Sequence, residues 1–155
     1  MHGILPFLAR QALREAEEAY QDIESFLEHT PKEVLLERLQ RIAKFLEGKE
    51  PLSLQEVLSV QEVFRRLKEM RRVASPDSFP LSSHIERLLL LARSKAKYEE
   101  NHPLTATEVA ALSNTTLPNI VALANKGVLQ GEKRGKEWYF PKDTVEEYLR
   151  RRKKA

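Results

Sequence analysis

Cysteine is absent from this chain of 155 residues, which excludes a disulfide framework, a cysteine-ligated metal site and a cysteine nucleophile. Aromatic residues make up only 7% of it and glycine only five positions, against 32% charged residues. That balance, with its abundant leucine, favours helices, because strands draw on aromatic and β-branched side chains. No apolar run approaches the ~18 residues of a membrane-spanning helix. The opening MHGILPFLAR lacks a signal-peptide pattern, since acidic residues follow at once. A cytoplasmic location without a membrane partner is expected, and the length suits one domain or one domain with a small appendage.

The sequence is equally poor in catalytic patterns. His2, His29, His84 and His102 are scattered, and none has the His-x-x-x-His spacing that sets two ligands on one helix face. Glu99 and His102 make a half-motif without a mate. There is no glycine-rich phosphate loop, no nucleophile elbow and no acidic pair in an apolar setting. Neither an enzyme activity nor a cofactor or metal is expected.

What is present is helical periodicity. Leu5, Leu8, Ala12, Ala16, Ala19, Tyr20, Ile23, Phe26 and Leu27 recur every three or four residues and predict a first helix from about Pro6 to His29. Thr30, Pro31 and Glu33 form a capping box that opens a second helix, with Val34, Leu35, Leu39, Ile42, Ala43 and Leu46 inward and Gly48 at its end. Ser53 and Glu56 open a third, with Val57, Val60, Val63, Phe64, Leu67 and Met70 inward and an end near Val73. Its basic residues Arg65, Arg66, Lys68, Arg71 and Arg72 interleave with Glu62 and Glu69, which favours a solvated face over a polyanion site. The linker SPDSFPLSS follows, and Ser83 with Glu86 caps a fourth helix from about His84 to Tyr98. Leu88 to Leu91 cover every side of it, so it is either buried on several sides or pairs with another chain. Residues 1–100 are expected to form a four-helix bundle that oligomerises. The Pro-Leu-Ser-Leu-Gln-Glu-Val of 51–57 echoes 103–109, but no turn signal follows Val57, so the two helices share only a cap.

Asn101-His102-Pro103 breaks the pattern, and the charge changes with it: residues 1–100 carry 16 basic and 17 acidic groups, and 101–155 carry 10 and 6. A basic excess in one segment suits a surface that faces a polyanion. Here Thr105 and Glu108 form a capping box, so a helix starts at about Ala106 with Val109, Ala110 and Leu112 on its apolar face. Asn114 can enter the left-handed region that a sharp turn needs. Thr116 caps a second short helix, where Pro118 is tolerated in the first turn, Ile120, Leu123 and Ala124 point inward and Gly127 ends it. Val128-Leu129 and Trp138-Tyr139-Phe140 then flank the polar run QGEKRGKE, whose Gly135 suits a hairpin tip. Trp138 and Phe140 form an inward pair. After Pro141, Asp143 or Thr144 can cap a last helix, Val145 to about Arg151, with Val145, Tyr148 and Leu149 inward.

Leu104 to Leu149 resembles the excisionase-like, MerR-like winged helix-turn-helix domains on Thr105, Glu108, Ala110, Leu112, Thr116, Ile120, Gly127, Leu129, Gly135, Trp138, Phe140 and Pro141, without insertion or deletion. The resemblance implies a winged helix-turn-helix domain over residues 103–152 that binds double-stranded DNA. Helix 116–126 would lie in the major groove and wing 130–137 on the neighbouring backbone. The whole is then a mainly α protein, an N-terminal four-helix region followed by a small domain with a β-hairpin wing. A transcriptional regulator or an accessory, excisionase-like DNA-architectural factor is expected, acting as a dimer on two half-sites.

Candidate DNA-facing residues are Thr115, Thr116, Leu117, Asn119, Val121, Ala122 and Lys126 on the helix, Lys133, Arg134 and Lys136 on the wing, and Arg150 and Arg151 in the tail. In the family the outward helix positions are commonly Arg, Lys or polar, whereas here they are Leu117, Pro118, Val121 and Ala122. None of these can donate to a phosphate or make the bidentate contact that carries most direct base readout, which leaves methyl contacts to thymine and the neighbouring Thr and Asn side chains. Glu137 and Tyr139 likewise stand at wing positions that are often basic in the family. The apolar face supports an alternative reading: a protein-interaction adaptor that uses Leu117 and Val121.

Overall fold

The computed structural model describes residues 4–23, 32–74 and 83–154, with side chains described over 5–16, 36–69 and 84–152. These residues form α1 (Ile4–Ile23), α2 (Lys32–Leu46), α3 (Leu54–Ala74), α4 (Ser83–Glu99), β1 (Leu104–Thr105), α5 (Ala106–Ser113), α6 (Leu117–Asn125), β2 (Glu132–Arg134), β3 (Glu137–Phe140) and α7 (Lys142–Lys154). The chain is mainly helical, with one small sheet near its C-terminal end. It divides into two compact units, Met1–Ala92 and Arg93–Ala155, and the division falls inside α4.

In the first unit, α1, α2 and α3 pack on one another largely along the stripes that the periodicity predicts, except that Phe45, outside the expected α2 stripe, is buried while Ala43 and Leu46 are half-buried. Leu5, Leu8, Ala12 and Ala16 are buried from α1, Leu39, Ile42 and Phe45 from α2, and Val57, Val60, Phe64 and Leu67 from α3. Each large apolar side chain so buried contributes about 1.5–3 kcal/mol against the entropy of ordering the chain. Of the four adjacent leucines in α4, Leu88, Leu89 and Leu91 are buried and Leu90 is half-buried, so this stretch is enclosed on several sides. A polar contact joins α4 to α1: His84 Nδ1 lies 2.6 Å from Glu15 Oε1, and the Phe7 and His84 rings meet in a T-shaped arrangement at 77°. The basic stripe of α3 is a solvated face where its side chains are described. Arg65 and Arg66 both reach Glu62, which Arg65 chiefly holds down to about 2, and Lys68 reaches Glu86.

Element ends differ from the expected ones for local reasons. The first helix begins at Ile4, ahead of Pro6, because a proline in the first turn forfeits no intrahelical bond. Its expected course beyond Ile23, the cap at Thr30 and Pro31, the side chains of Met70, Arg71 and Arg72, and the linker 75–82 lie outside the described residues. Ser83 is the first residue of α4 rather than the residue before it.

The second unit takes in the last turns of α4 and everything after it. Its sheet has the order β1-β3-β2, antiparallel throughout, with Leu104 opposite Phe140 and Lys133 opposite Trp138. Leu104, Val109, Ile120, Phe140 and Val145 are fully buried at its centre, with Leu129 close behind, so helix-turn-helix, hairpin and α7 share one core. The strand β1 was not expected: Leu104 and Thr105 read as the run-up to a helix and also pair with the wing. Val128-Leu129 is not a strand. Both amides turn back to the Leu123 carbonyl, at 3.0 and 3.2 Å, which closes the end of α6, and the wing strand starts at Glu132. The last helix begins at Lys142 and continues past Arg151, because the Pro141 carbonyl already accepts from the Val145 amide at 3.2 Å. Asp143 and Thr144 therefore sit within its first turn instead of capping it.

Candidate nucleic-acid interface

The local chemistry of α5 and α6 sets the interface. Thr105 and Glu108 complete their capping box: the Glu108 amide donates to Thr105 Oγ1 at 3.3 Å, and the Thr105 amide donates to Glu108 Oε1 at 2.8 Å. Asn114 ends α5 at φ 53°, ψ 46°, the left-handed conformation that its short polar side chain tolerates. Two residues later Thr116 Oγ1 accepts from the Asn119 amide at 3.3 Å and starts α6. Pro118 stands in the first turn, and Gly127 lies beyond the end at φ 75°. Two helices are thus joined by a turn too short to let their relative angle drift.

The Glu108 carboxylate has a second task that its spacing did not reveal. Its side chain is 2% exposed and receives Arg93 Nε at 2.8 Å and Lys97 Nζ at 2.7 Å, both from the last turns of α4. Burial pushes this carboxyl up, but the Lys97 ammonium, the Thr105 amide and the Arg93 guanidinium outweigh it and hold the group below its ordinary 4.5. Arg93 and Lys97 sit one helical turn apart, the only sequence signal that could have paired them with a common acid. The helix-turn-helix is anchored to α4 through this cluster.

Ile120 and Ala124 bury the inner side of α6, which turns Leu117, Pro118, Ala122 and Asn125 outward as exposed residues and leaves Val121 half-buried between them. Leu117 is 45% exposed, a large apolar side chain with no cover. Thr115 and Asn119 hold one another, the Asn119 amide nitrogen donating to Thr115 Oγ1 at 2.9 Å. Lys126 is exposed at the C-cap and, among the described residues, has no ion partner.

The wing is a tight hairpin with Gly135 at φ 62° in its turn. Lys133 extends over the Trp138 ring at 5.9 Å, and Arg134 lies over Tyr139 at 5.2 Å while donating to Glu132 at 3.1 Å. Lys136 is exposed and unpaired among the described residues. Trp138 stacks on buried Phe140 with ring centroids 6.1 Å apart, so it braces the wing from a half-buried position. Gly131 admits no side chain, since a Cβ there would meet the Phe140 ring at 2.5 Å and the Tyr139 carbonyl at 2.8 Å. On α7, Arg150 pairs with Glu146 at 3.5 Å and Arg151 with Glu147 at 3.0 Å. Such exposed pairs are worth ~0–1 kcal/mol and exchange readily for other anions.

Helix, left-handed turn, capped second helix and basic hairpin stand here in that order on one core, and residues 103–153 match the family model described as a helix-turn-helix domain. This segment is a helix-turn-helix domain of the excisionase-like kind. Comparison of the chain with curated proteins and with solved structures gives no match. The match over this segment supports a DNA-binding helix-turn-helix protein, and α6 is the second helix of the motif, the one that in this class enters the major groove. All twelve candidate residues fall within the matched segment, on α6 and the turn before it, on the wing, and on α7. Among the described residues, no helix is long and apolar enough to cross a membrane.

Proposed function

We propose that this protein is a transcriptional regulator or an accessory DNA-architectural factor that seats α6 in the major groove and lays its wing along the adjacent phosphates. The observation that carries this reading is the exposed outer face of α6 in a domain whose Lys126, Lys133 and Lys136 are also exposed. A helix face left open within a match to the helix-turn-helix family is the surface that this class turns to DNA. In this reading Lys133, Arg134, Lys136, Arg150 and Arg151 neutralise phosphates and fix register, while Thr115, Thr116, Leu117, Asn119, Val121, Ala122 and Lys126 lie toward the groove. Residues 103–152 act as the DNA-binding domain, and the four helices of 1–100 as an oligomerisation domain that pairs two readers on two half-sites.

The test is fluorescence anisotropy of the full chain on mixed-sequence duplex DNA at about 50 and 200 mM salt, where phosphate contacts make affinity fall steeply. Binding that collapses at the higher salt, and a Lys133→Glu/Arg134→Glu variant that binds far more weakly, is the expected result. Absence of binding at the lower salt overturns it.

Leu117 supports a second reading, that of an adaptor whose α6 face receives a protein partner, because large exposed apolar residues mark interaction sites. Leu117→Arg separates the two. It preserves or raises overall DNA affinity in the first reading and abolishes partner binding in the second.

A further inference from the structure

The outer face of α6 is unusual in what it offers a base pair. Leu117, Pro118, Val121, Ala122 and Asn125 recur at the spacing of one helical face, opposite buried Ile120 and Ala124. No charged residue occurs between Thr116 and Asn125, so the helix carries no arginine or lysine for the bidentate contact to guanine O6 and N7. The polar side chains at its start are already engaged, because Thr116 caps the helix and Asn119 is tied to Thr115. What remains is a set of methyl and methylene groups, with one exposed amide, Asn125, at the far end.

The major-groove edge of DNA has a single apolar group, the thymine C5-methyl, and a single base that an Asn or Gln amide contacts in bidentate fashion, adenine. We infer that this domain discriminates A·T from G·C pairs by packing Leu117, Val121 and Ala122 on thymine methyl groups, with Asn125 directed to an adenine. This inference rests on the DNA-binding reading. Pro118 adds no donor and keeps the first turn rigid, and Ala122 is small enough to let the helix approach the groove floor. Leu117, 45% exposed in the free protein, loses water-contacting surface when a thymine methyl group covers it. Single exposed apolar residues are ordinary on any surface, whereas Leu117, Pro118 and Ala122 are exposed together on one face of a nine-residue helix, with Val121 half-buried between them and packed in part against the domain core.

The experiment compares the full chain on three duplexes at one low salt concentration: an A·T-rich duplex, the same duplex with deoxyuridine in place of every thymidine, and a G·C-rich duplex. The first two differ only in methyl groups. A buried methyl accounts for about fourfold in affinity, so roughly fifteen- to sixtyfold weaker binding to the deoxyuridine duplex is expected from two or three contacts. Replacing cytosine with 5-methylcytosine in the G·C-rich duplex should restore part of the difference. A Leu117→Ala/Val121→Ala variant should bind all the duplexes with the wild-type salt dependence and lose the thymine preference. Equal binding to the thymidine and deoxyuridine duplexes overturns the inference and leaves the DNA-binding reading standing. No binding to any duplex overturns that reading, and the inference with it.

Discussion

Glu108 shows how one side chain joins local and tertiary structure. It caps α5, yet its carboxylate is buried and bridges two cations of α4. Breaking a buried ion pair costs about 3–5 kcal/mol, and the partial exposure of Arg93 and Lys97 reduces this, so Glu108→Gln should lose roughly 2–3 kcal/mol of unfolding free energy in urea. Because the folded carboxyl titrates below 4.5, the unfolded chain binds its proton first as the solution is acidified. The stabilisation is therefore complete above that value and is lost as the pH falls through the lower, folded one. Melting temperatures taken from neutral pH downward should drop more steeply below pH 4.5 for the wild type than for Glu108→Gln. Gly131 makes a simpler prediction. A methyl group at this position has to displace fully buried Phe140, so Gly131→Ala should destabilise by about 1–3 kcal/mol, measured by the same unfolding titration.

At the scale of the element, α6 depends on its start. Thr116→Ala removes the acceptor for the Asn119 amide and should cost ~1 kcal/mol by denaturant titration. The tail helix makes a different test, because Arg150 and Arg151 are engaged by acids one turn earlier on the same exposed surface. These pairs also have the favourable order, with the acid toward the N-terminus. Glu146→Gln combined with Glu147→Gln releases both arginines, and if they meet phosphates the double variant should bind duplex DNA several-fold more tightly at about 50 mM salt. An unchanged affinity removes the tail from the interface.

For the whole molecule, charge and fold divide along the chain together. The net charge of +3 belongs to 101–155, where basic groups exceed acidic ones by four, while 1–100 carries one acidic group in excess. Among the described residues of the first unit, Phe7 and Leu58 are the large hydrophobic side chains left exposed, at 49% and 45%. If the helical region pairs two copies, sedimentation equilibrium of the full chain should give a dimer, and Phe7→Ser with Leu58→Ser should shift it toward monomer. A wild-type monomer at all concentrations removes the dimeric arrangement and leaves a single reader on a single site.

Local chemistry was legible in the residues themselves. The Thr105–Glu108 box, the left-handed Asn114, the Thr116 cap, the Gly127 stop and the Gly135 turn each depend on contacts within a few positions, so spacing alone determined them. The inward stripes of α1 to α3 were legible for the same reason where their side chains are described, since helical periodicity is written into the order of residues. What joins distant segments was not. The pairing of Leu104 with Phe140, the convergence of Arg93 and Lys97 on Glu108, and the ring that closes over Gly131 bring together residues well separated in the sequence. The outer face of α6 falls between the two cases: its composition was plain from the sequence, but its exposure was decided only when Ile120 and Ala124 took the inner side of the helix into the core.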